Sequence, residues 1–340
     1  MRIWIDLANS PHVPFFRSLK DEFINRNHEV VVTARAFAET VELAEAAGFA
    51  AHVIGGHGGG TLSGKAGNLV QRALALARWA RGRNLDLALS HNSYSQVLAA
   101  RALSLRTVTL MDYEHQPANH LAFRLASRVI VPRAFPEAAL SRFGAHPAKV
   151  RRYAGLKEDV YLADFQTDPE FQKQLSKLGI SGEDILVTAR PPASEALYHR
   201  FENELFDQLI ERLLRTPSVK VVLLPRNDSQ RKVYSMQASS KLILPPGPID
   251  GGNLIAHSDL VVSAGGTMNR EAAALGIPAA SIYLGEWSAL DQELVKEGRL
   301  RKISAPADVR DLSIQKRGPA TARRAVNVRT EVVDLILDPT

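Results

Sequence analysis

Short apolar segments alternate with amphipathic segments along most of the chain. In the first half, runs of four to six mainly apolar residues predict strands, at residues 2–7, 29–34, 50–54, 86–90, 107–111 and 128–132. Between them, apolar residues spaced by three and four predict helices, for example over 16–26 and 39–48. Near-continuous apolar strands that are separated by helices are typical of a parallel sheet covered on both faces.

The same alternation returns in the second half after a break. Residues 150–170 interrupt it with Gly, Asp and Pro, and further strands are predicted at 184–189, 219–225, 241–245, 259–264 and 278–284. The fold class is therefore α/β, with two doubly wound Rossmann-like domains in tandem and a ligand crevice between them. We expect domains at 1–160 and 170–320, and a C-terminal helix within 321–340 that packs back toward the N-terminal domain.

Composition and charge exclude several kinds of site and make some partners unexpected. A chain of 340 residues suits two domains, and the absence of cysteine excludes disulfides, thiol catalysis and cysteine-ligated metals. The net charge of +6 comes from scattered arginines, so nucleic acid is not the expected partner. No apolar run approaches the roughly 18 residues of a membrane span, and the first residues do not form a signal peptide. We expect a cytoplasmic protein, with peripheral contact at the inner face of the membrane as an alternative.

The segment VVSAGGTMNREAAALGIP, residues 261–278, joins a buried strand to a helix through a glycine pair. Glycine permits close approach of a ligand to the backbone, and the unpaired N–H groups of a helix start suit an anion. We therefore expect a phosphate-binding turn, made by Gly265, Gly266, Thr267, Met268 and Asn269. Glu271 lies one turn into the helix, where its carboxylate can accept hydrogen bonds from both hydroxyls of a ribose.

Two arginines follow neighbouring predicted strands of the same domain. Arg190 precedes a proline pair and Arg226 lies in the segment LPRNDSQR, and both can supply charge to a diphosphate. The alternative is a structural helix start without a ligand. In that case Thr267 caps the helix, Glu271 interacts favourably with the helix dipole, and the glycines allow tight packing.

Polar side chains also follow the predicted strands of the N-terminal domain. His12 lies between the first strand and a helix expected to begin near Pro14. Three more, Asp112, Glu114 and His115, directly follow a buried strand. Acids beside a histidine shift one another's pKa values and form an acid–base pair. The alternatives are that His12 is a loop histidine and that Asp112 caps the next helix.

Three further segments contain residues that suit a binding role. GGGTLSGKA, residues 58–66, is close to a phosphate-binding P-loop, but Ala66 stands where a Ser or Thr must bind Mg²⁺, so a surface glycine loop is expected. Residues 90–96 are interpreted as a helix cap with substrate contacts. A helix over 65–84 is expected to cover the sheet, although its arginines also suit anionic lipid. Its predicted apolar face consists of Leu69, Val70, Ala73, Leu74 and Ala77.

Several of these segments resemble nucleotide-sugar enzymes of the GT-B type. SAGGTMNREAAALGIP is similar to the nucleotide-binding segment of UDP-N-acetylglucosamine 2-epimerase and of the transferase that completes the lipid-linked peptidoglycan precursor. Together with DLANSPHVPFF, MDYEH and RPPA, it resembles a family of uncharacterised prokaryotic predicted glycosyltransferases over nearly the whole chain. The resemblance implies that Glu271 binds the ribose and that the turn from Gly265 to Thr267 binds the diphosphate.

The resemblance also implies an activity. The C-terminal domain would bind a nucleotide sugar, most simply a UDP-sugar, with no obligatory metal or other cofactor. The N-terminal domain would bind an acceptor, for which a lipid-linked compound or a polysaccharide precursor is a candidate. The helix start and Arg190 or Arg226 would stabilise the leaving group. Four side chains are candidates for the base that activates the acceptor hydroxyl, His12, Asp112, Glu114 and His115.

Two other functions remain open. A 2-epimerase would use Asp112 and Glu114 as catalytic carboxylates, but that enzyme carries a histidine directly before the arginine that corresponds to Arg190. Here Ala189 stands in that place, which favours the transferase. A non-catalytic nucleotide-sugar sensor on the same fold would bind without turnover.

Overall fold

Every strand pair among the described residues is parallel, as the near-continuous apolar runs predict. The computed structural model describes residues 1–37, 39–56, 62–192, 200–322 and 325–339. These residues form two sheets, so the α/β class with tandem Rossmann-like domains is confirmed. No helix within these ranges is both long enough and apolar enough to cross a bilayer.

The first sheet has seven strands in the described part of the chain, in the order β3-β2-β1-β4-β5-β6-β7. The strands are β1 (Arg2–Leu7), β2 (Glu29–Ala34), β3 (Ala51–Val53), β4 (Leu87–His91), β5 (Arg106–Leu110), β6 (Arg128–Pro132) and β7 (Val150–Tyr153). The helices that alternate with them are α1 (His12–Asn25), α2 (Thr40–Ala46), α3 (Leu62–Ala80), α4 (Tyr94–Ala102), α5 (Asn119–Leu125), α6 (Glu137–Arg142) and α7 (Lys157–Leu162).

The second sheet has six strands in the same described ranges, in the order β10-β9-β8-β11-β12-β13. They are β8 (Ile185–Arg190), β9 (Val219–Leu223), β10 (Leu242–Ile243), β11 (Leu260–Ser263), β12 (Ala279–Ser281) and β13 (Arg301–Lys302). The helices are α8 (Phe171–Lys177), α9 (Arg200–Arg215), α10 (Asp228–Ser235), α11 (Gly251–His257), α12 (Gly266–Leu275), α13 (Ala289–Lys296) and α14 (Pro306–Arg310), and α15 (Val326–Leu337) ends the chain.

Each sheet reverses its strand order once. The first reverses between β1 and β4, and the second between β8 and β11. Ligands of doubly wound sheets bind outside the carboxyl ends of the strands at such a reversal, because the adjoining loops diverge there and leave a depression. The residues directly after these four strands therefore determine what each sheet can bind.

The chain divides into two units, Met1–Tyr161 with Ala325–Thr340, and Leu162–Arg324. Helix α15 belongs to the first unit because its apolar side chains join the core of the first sheet, where α1 also packs. The α15 residues in this core are Val328, Val332, Val333 and Ile336. Arg26 and Asp334 form an ion pair 2.5 Å long between α1 and α15. The second sheet has its own core around α9, which includes Phe206 and Leu209.

Helix α1 begins at His12, so Pro14 lies in its first turn, in agreement with the predicted helix start near Pro14. One prediction about local structure was wrong, and a second was wrong in part. The segment 150–153 is strand β7 and not linker. It was missed because an edge strand is only partly buried, and this one carries two arginines.

The apolar face predicted for the helix over 65–84 was wrong in part, since Ala73 is buried as predicted but two other members of the face are not. Val70 and Leu74 on α3 are 53% and 52% exposed, whereas Arg72 is buried at 4%. Arg72 donates two hydrogen bonds of 2.8 Å to the buried carboxylate of Asp6. The side of α3 that carries Arg72 therefore faces the sheet. The glycines at 58–60 lie outside the described residues.

Candidate functional site

The N-terminus of α12 lies directly after β11, beside the strand reversal of the second sheet. Its N-cap is Gly265, and no side chain caps the first turn. The N–H of Gly265 donates to Ser263 Oγ at 2.9 Å. Thr267 lies inside the helix, so the alternative in which Thr267 caps it is wrong. The first N–H groups of α12 therefore have no side-chain acceptor and suit an anionic ligand.

Arg226 follows β9 and reaches this turn. A Cβ atom built on Gly265 would lie 2.9 Å from Arg226 Nη2, so the guanidinium lies directly against the glycine backbone. Arg226 Nε donates to Pro191 O at 2.7 Å, which joins the loops after β8 and β9. Gln230 strengthens this link, because its side chain accepts from Arg226 N and donates to Pro192 O.

Arg190, the last residue of β8, adds a second positive charge. Burial and the nearby Arg190 charge lower the pKa of Arg226 to about 10. Arg190 Nε is buried and has no hydrogen-bond partner among the described residues. Two neighbouring guanidinium groups at a helix N-terminus repel each other, and a bound anion would relieve that repulsion. The structure thus brings Arg190, Arg226 and the glycine turn together, as predicted.

The remaining predicted nucleotide-binding residues lie on α12. Met268 and Asn269 are buried, so Met268 can offer a ligand only its backbone. Asn269 Nδ2 donates to Ser263 O at 3.1 Å and fixes the turn. Arg270, one residue later, pairs with Asp291 at 2.8 Å and anchors α12 to α13. Glu271 is half-buried on the next turn, and its role at a ribose stays a prediction.

At the strand reversal of the first sheet, the structure assembles four buried titratable side chains. They come from four elements: His12 starts α1, His91 ends β4, Asp112 follows β5, and Lys157 starts α7. The imidazole rings of His12 and His91 lie 4.8 Å apart, centroid to centroid. His91 Nε2 is 3.7 Å from Asp112 Oδ1, and Lys157 Nζ is 3.0 Å from Asp112 Oδ2. We call these four residues the buried quartet.

His12 is the member of the quartet with the clearest electrostatic signature. Burial lowers its pKa well below 6.5, the positive charges at His91 and Lys157 lower it further, and Asp112 raises it. Its Nδ1 atom is buried with no hydrogen-bond partner among the described residues. A neutral imidazole with an unoccupied nitrogen can accept a proton, which is what a general base requires.

Asp112, Glu114 and His115 contact different neighbours, and their predicted acid–base role stays a prediction. Asp112 faces Lys157, and helix α5 has Ala118 as its N-cap with no side-chain cap, so Asp112 does not cap it. Glu114 instead contacts His115, with Glu114 Oε1 at 3.7 Å from His115 Nε2. The described contacts therefore place Asp112 against His91 and Lys157, and Glu114 against His115.

His91 and Lys157 were not among the predicted catalytic residues. His91 lies in the segment 90–96, whose predicted cap is confirmed, because Ser93 is the N-cap of α4. Lys157 falls in the segment that was predicted to be linker. Because strand β7 was not predicted, the sequence did not indicate that Lys157 follows a strand of the first sheet. The sequence did carry a signal for His91. It is the last residue of a buried strand, and the other candidates directly follow such strands. Among the residues described, no three His, Asp or Glu side chains converge as a metal-binding set.

Comparison with known proteins places the chain in a family. Residues 1–338 match the model of a family described as protein of unknown function, DUF354, and the chain belongs to this family. An uncharacterised protein of Methanocaldococcus jannaschii is 30% identical over 304 residues, which covers 88% of this chain and 86% of that protein. The family predicted from the sequence motifs, one of uncharacterised prokaryotic proteins, is confirmed.

Solved structures of a UDP-GlcNAc 2-epimerase and of a glycosyltransferase have the same fold. UDP-GlcNAc 2-epimerase of Methanocaldococcus jannaschii, solved with UDP-GlcNAc and UDP, has a TM-score of 0.73 at 13% identity and covers 98% of both chains. The glycosyltransferase of kitacinnamycin has a TM-score of 0.56 at 15% identity, over 99% of this chain and 91% of that chain. At these identities the likeness establishes the GT-B-type fold.

Proposed function

We propose that this chain is a nucleotide-sugar-dependent glycosyltransferase. Its C-terminal unit binds the nucleotide diphosphate of the donor, most simply a UDP-sugar, and its N-terminal unit activates the acceptor. The observation that carries the proposal is the pair Arg190 and Arg226 at the uncapped start of α12. Its charges repel each other, and among the described residues Arg190 Nε is buried with no hydrogen-bond partner.

A diphosphate suits this arrangement chemically. Guanidinium groups bind phosphate oxygens through charge-assisted hydrogen bonds, and backbone N–H groups of a helix start supply further donors. The same donors stabilise the negative charge that develops on a departing nucleotide diphosphate. Glu271, on the following turn, is the proposed acceptor for the ribose hydroxyls.

In the N-terminal unit, His12 is the proposed base that takes the proton of an acceptor hydroxyl. Its neutral imidazole and unoccupied Nδ1 support this role. Asp112 is the proposed carboxylate that stabilises the positive charge formed when the imidazole accepts a proton. The Glu114–His115 pair is the second candidate for the same step, and the acceptor itself is unidentified.

A 2-epimerase is the second candidate function. The higher TM-score of the epimerase structure supports it, although a fold likeness alone does not extend to the reaction. Ala189 counts against it, because it is fully buried in β8 and offers only a methyl group at the place where the epimerase carries a histidine. The epimerase must also remove a carbon-bound proton, a step for which Asp112 and Glu114 would be the carboxylates.

Calorimetry with two ligands tests the proposed donor site. Pyrophosphate carries the diphosphate charge without a ribose, whereas UDP carries both. We expect Arg226→Met to weaken binding of both ligands, and Glu271→Gln to weaken only UDP. Equal weakening of both ligands by Glu271→Gln would contradict a ribose contact. Failure of the native protein to bind either ligand would reject the donor site.

Incubation with a bound UDP-sugar in D₂O separates the three functions. A transferase gives no exchange at C2 of the sugar and releases UDP when an acceptor from a mixture of lipid-linked and polysaccharide precursors is supplied. An epimerase incorporates deuterium at C2 without an acceptor. A sensor binds the UDP-sugar and does neither. ¹H NMR of the nucleotide sugar reports all three outcomes.

A further inference from the structure

Lys157 is the buried cation of the N-terminal site. It begins α7, which follows β7 after a short turn, and its side chain is only 5% exposed. Its ammonium nitrogen lies 3.0 Å from Asp112 Oδ2 and 3.5 Å from Glu158 Oε1. A lysine in a dry environment costs free energy unless acids pair with it, and here two acids do so.

We propose that Lys157 is a positioning residue that holds Asp112 against His91 and keeps His12 uncharged, and so available as a proton acceptor. The proposal rests on the proposed role of His12. In this role Lys157 sets the protonation state of the site without touching the substrate.

Geometry supports this assignment. One carboxylate, Asp112, is shared: its Oδ2 contacts Lys157 and its Oδ1 lies 3.7 Å from His91 Nε2. The ion pair with Lys157 therefore fixes which oxygen faces the imidazole. The His91 ring packs against the His12 ring in a tilted arrangement, with the centroids 4.8 Å apart, so the four side chains form one continuous path from α7 to α1.

The charges around His12 also support the proposed role of Lys157. The charged groups that face His12 in the described part of the chain are His91 on β4, Lys157 on α7 and Asp112 after β5. Lys157 and His91 oppose protonation of His12, while Asp112 favours it. Without Lys157, one of the two charges that oppose protonation of His12 is removed while Asp112 still favours it, so His12 should take up its proton at a higher pH.

The test follows His12 by NMR in the full chain and needs no substrate. Protein with ¹³C- and ¹⁵N-labelled histidine is titrated from pH 5 to pH 8.5, and the His12 signal is assigned by its loss in His12→Gln. In the native protein we expect the His12 signal to stay at its neutral position through about pH 6.5, where an unperturbed imidazole titrates. In Lys157→Met, which keeps the packing and removes the charge, we expect its midpoint to rise by about one pH unit or more.

Two further variants test whether the His12 midpoint shifts in the expected direction and whether a folding defect explains the shift. Lys157→Arg keeps the charge and should leave the midpoint at its native value. Asp112→Asn removes the carboxylate that favours the charged imidazole, so its midpoint should not rise. The proposal is overturned if native His12 titrates at about 6.5, or if Lys157→Met folds with a native melting profile and leaves the midpoint unmoved. If Lys157→Met does not fold, Lys157→Gln, which also removes the charge, takes its place, and the same two outcomes of the His12 midpoint support or overturn the proposal.

These outcomes are separate from those of the proposed function. A native protein that fails to bind UDP would reject the donor site and leave the titration of His12 untouched. A normal titration of His12 in a protein that binds UDP would reject only the role of Lys157.

Discussion

The carboxyl edges of the two sheets have the same topology and opposite chemistry. At the first edge, His12, His91, Asp112 and Lys157 are all buried, and acids and bases face each other. At the second edge, the half-buried Arg190 and Arg226 lie near each other and near the N–H groups of a helix start. Among the described residues, the first edge pairs its acids with bases, whereas the second brings two positive charges together.

This difference follows from what each edge is proposed to do. A group that exchanges protons must have a pKa set by fixed neighbours, and such control is strongest where water is excluded. A site that binds a diphosphate must keep its positive charge uncompensated until the ligand arrives. The fold supplies the same position twice, and the side chains after the strands decide between proton transfer and anion binding.

The largest effect expected is loss of turnover at the first edge without loss of binding at the second. His12→Gln removes the proposed base and should lower turnover of the nucleotide sugar by about 10²–10⁴. The affinity for UDP should stay within about twofold of native, since the donor site lies in the other unit. UDP release and calorimetry measure the two quantities.

His120→Gln, a change at an exposed histidine of the same unit, is the matched control and should alter neither quantity. Native turnover in His12→Gln would assign the base to the pair Glu114 and His115 instead.

The next effect concerns the second edge. Arg190→Met and Arg226→Met should each weaken UDP binding by about 10- to 100-fold, the range for hydrogen bonds to charged groups. Arg190→Met should not lower the melting temperature of the ligand-free protein, because it removes one of two repelling charges. Arg215→Met, at an exposed arginine of α9, is the control. If Arg190→Met destabilised the free protein and bound UDP normally, the arginine pair would be structural.

A smaller effect is expected from the glycine turn. In Gly265→Ala the new Cβ would lie 2.9 Å from Arg226 Nη2, so the guanidinium must shift while the backbone stays in place. We expect a loss of UDP affinity of about tenfold or less, with the melting temperature near native. Gly182→Ala, where a Cβ meets nothing within 4 Å, should change neither. Unchanged affinity in Gly265→Ala would remove Arg226 from the contact with the ligand.

The smallest effect is a pH dependence of stability at the first edge. The pKa of His12 lies well below 6.5 in the folded chain, so between these values the unfolded chain binds more protons than the folded chain. This contribution to stability is complete above about pH 6.5 and is lost as the pH falls toward the folded pKa.

Each unit by which the pKa is lowered corresponds to about 1.4 kcal/mol. Urea unfolding of native protein and of His12→Gln from pH 7.5 to pH 5 should therefore show the smaller decrease in the variant. Parallel curves for the two proteins would contradict a buried neutral His12.

The fold and one of the two edges could be predicted from the sequence. Apolar runs located the strands, including β2 (Glu29–Ala34) and β6 (Arg128–Pro132), whose bounds agree with the prediction. The second edge could be predicted because its hydrogen-bond donors belong to local motifs. These motifs are a glycine pair, a helix start, and an arginine directly after each of two predicted strands. The site roles themselves stay predictions until the variants are measured.

The sequence by itself determined which segments become strands, because burial on both sheet faces demands apolar residues at consecutive positions. It also determined where a helix N-terminus meets a glycine turn, since both are local. Only the tertiary structure decided that Lys157 faces Asp112 and that Arg72 is buried against Asp6. Those pairs join residues 45 and 66 positions apart in the chain. Their free energy depends on the loss of water around both partners, which sequence spacing does not encode.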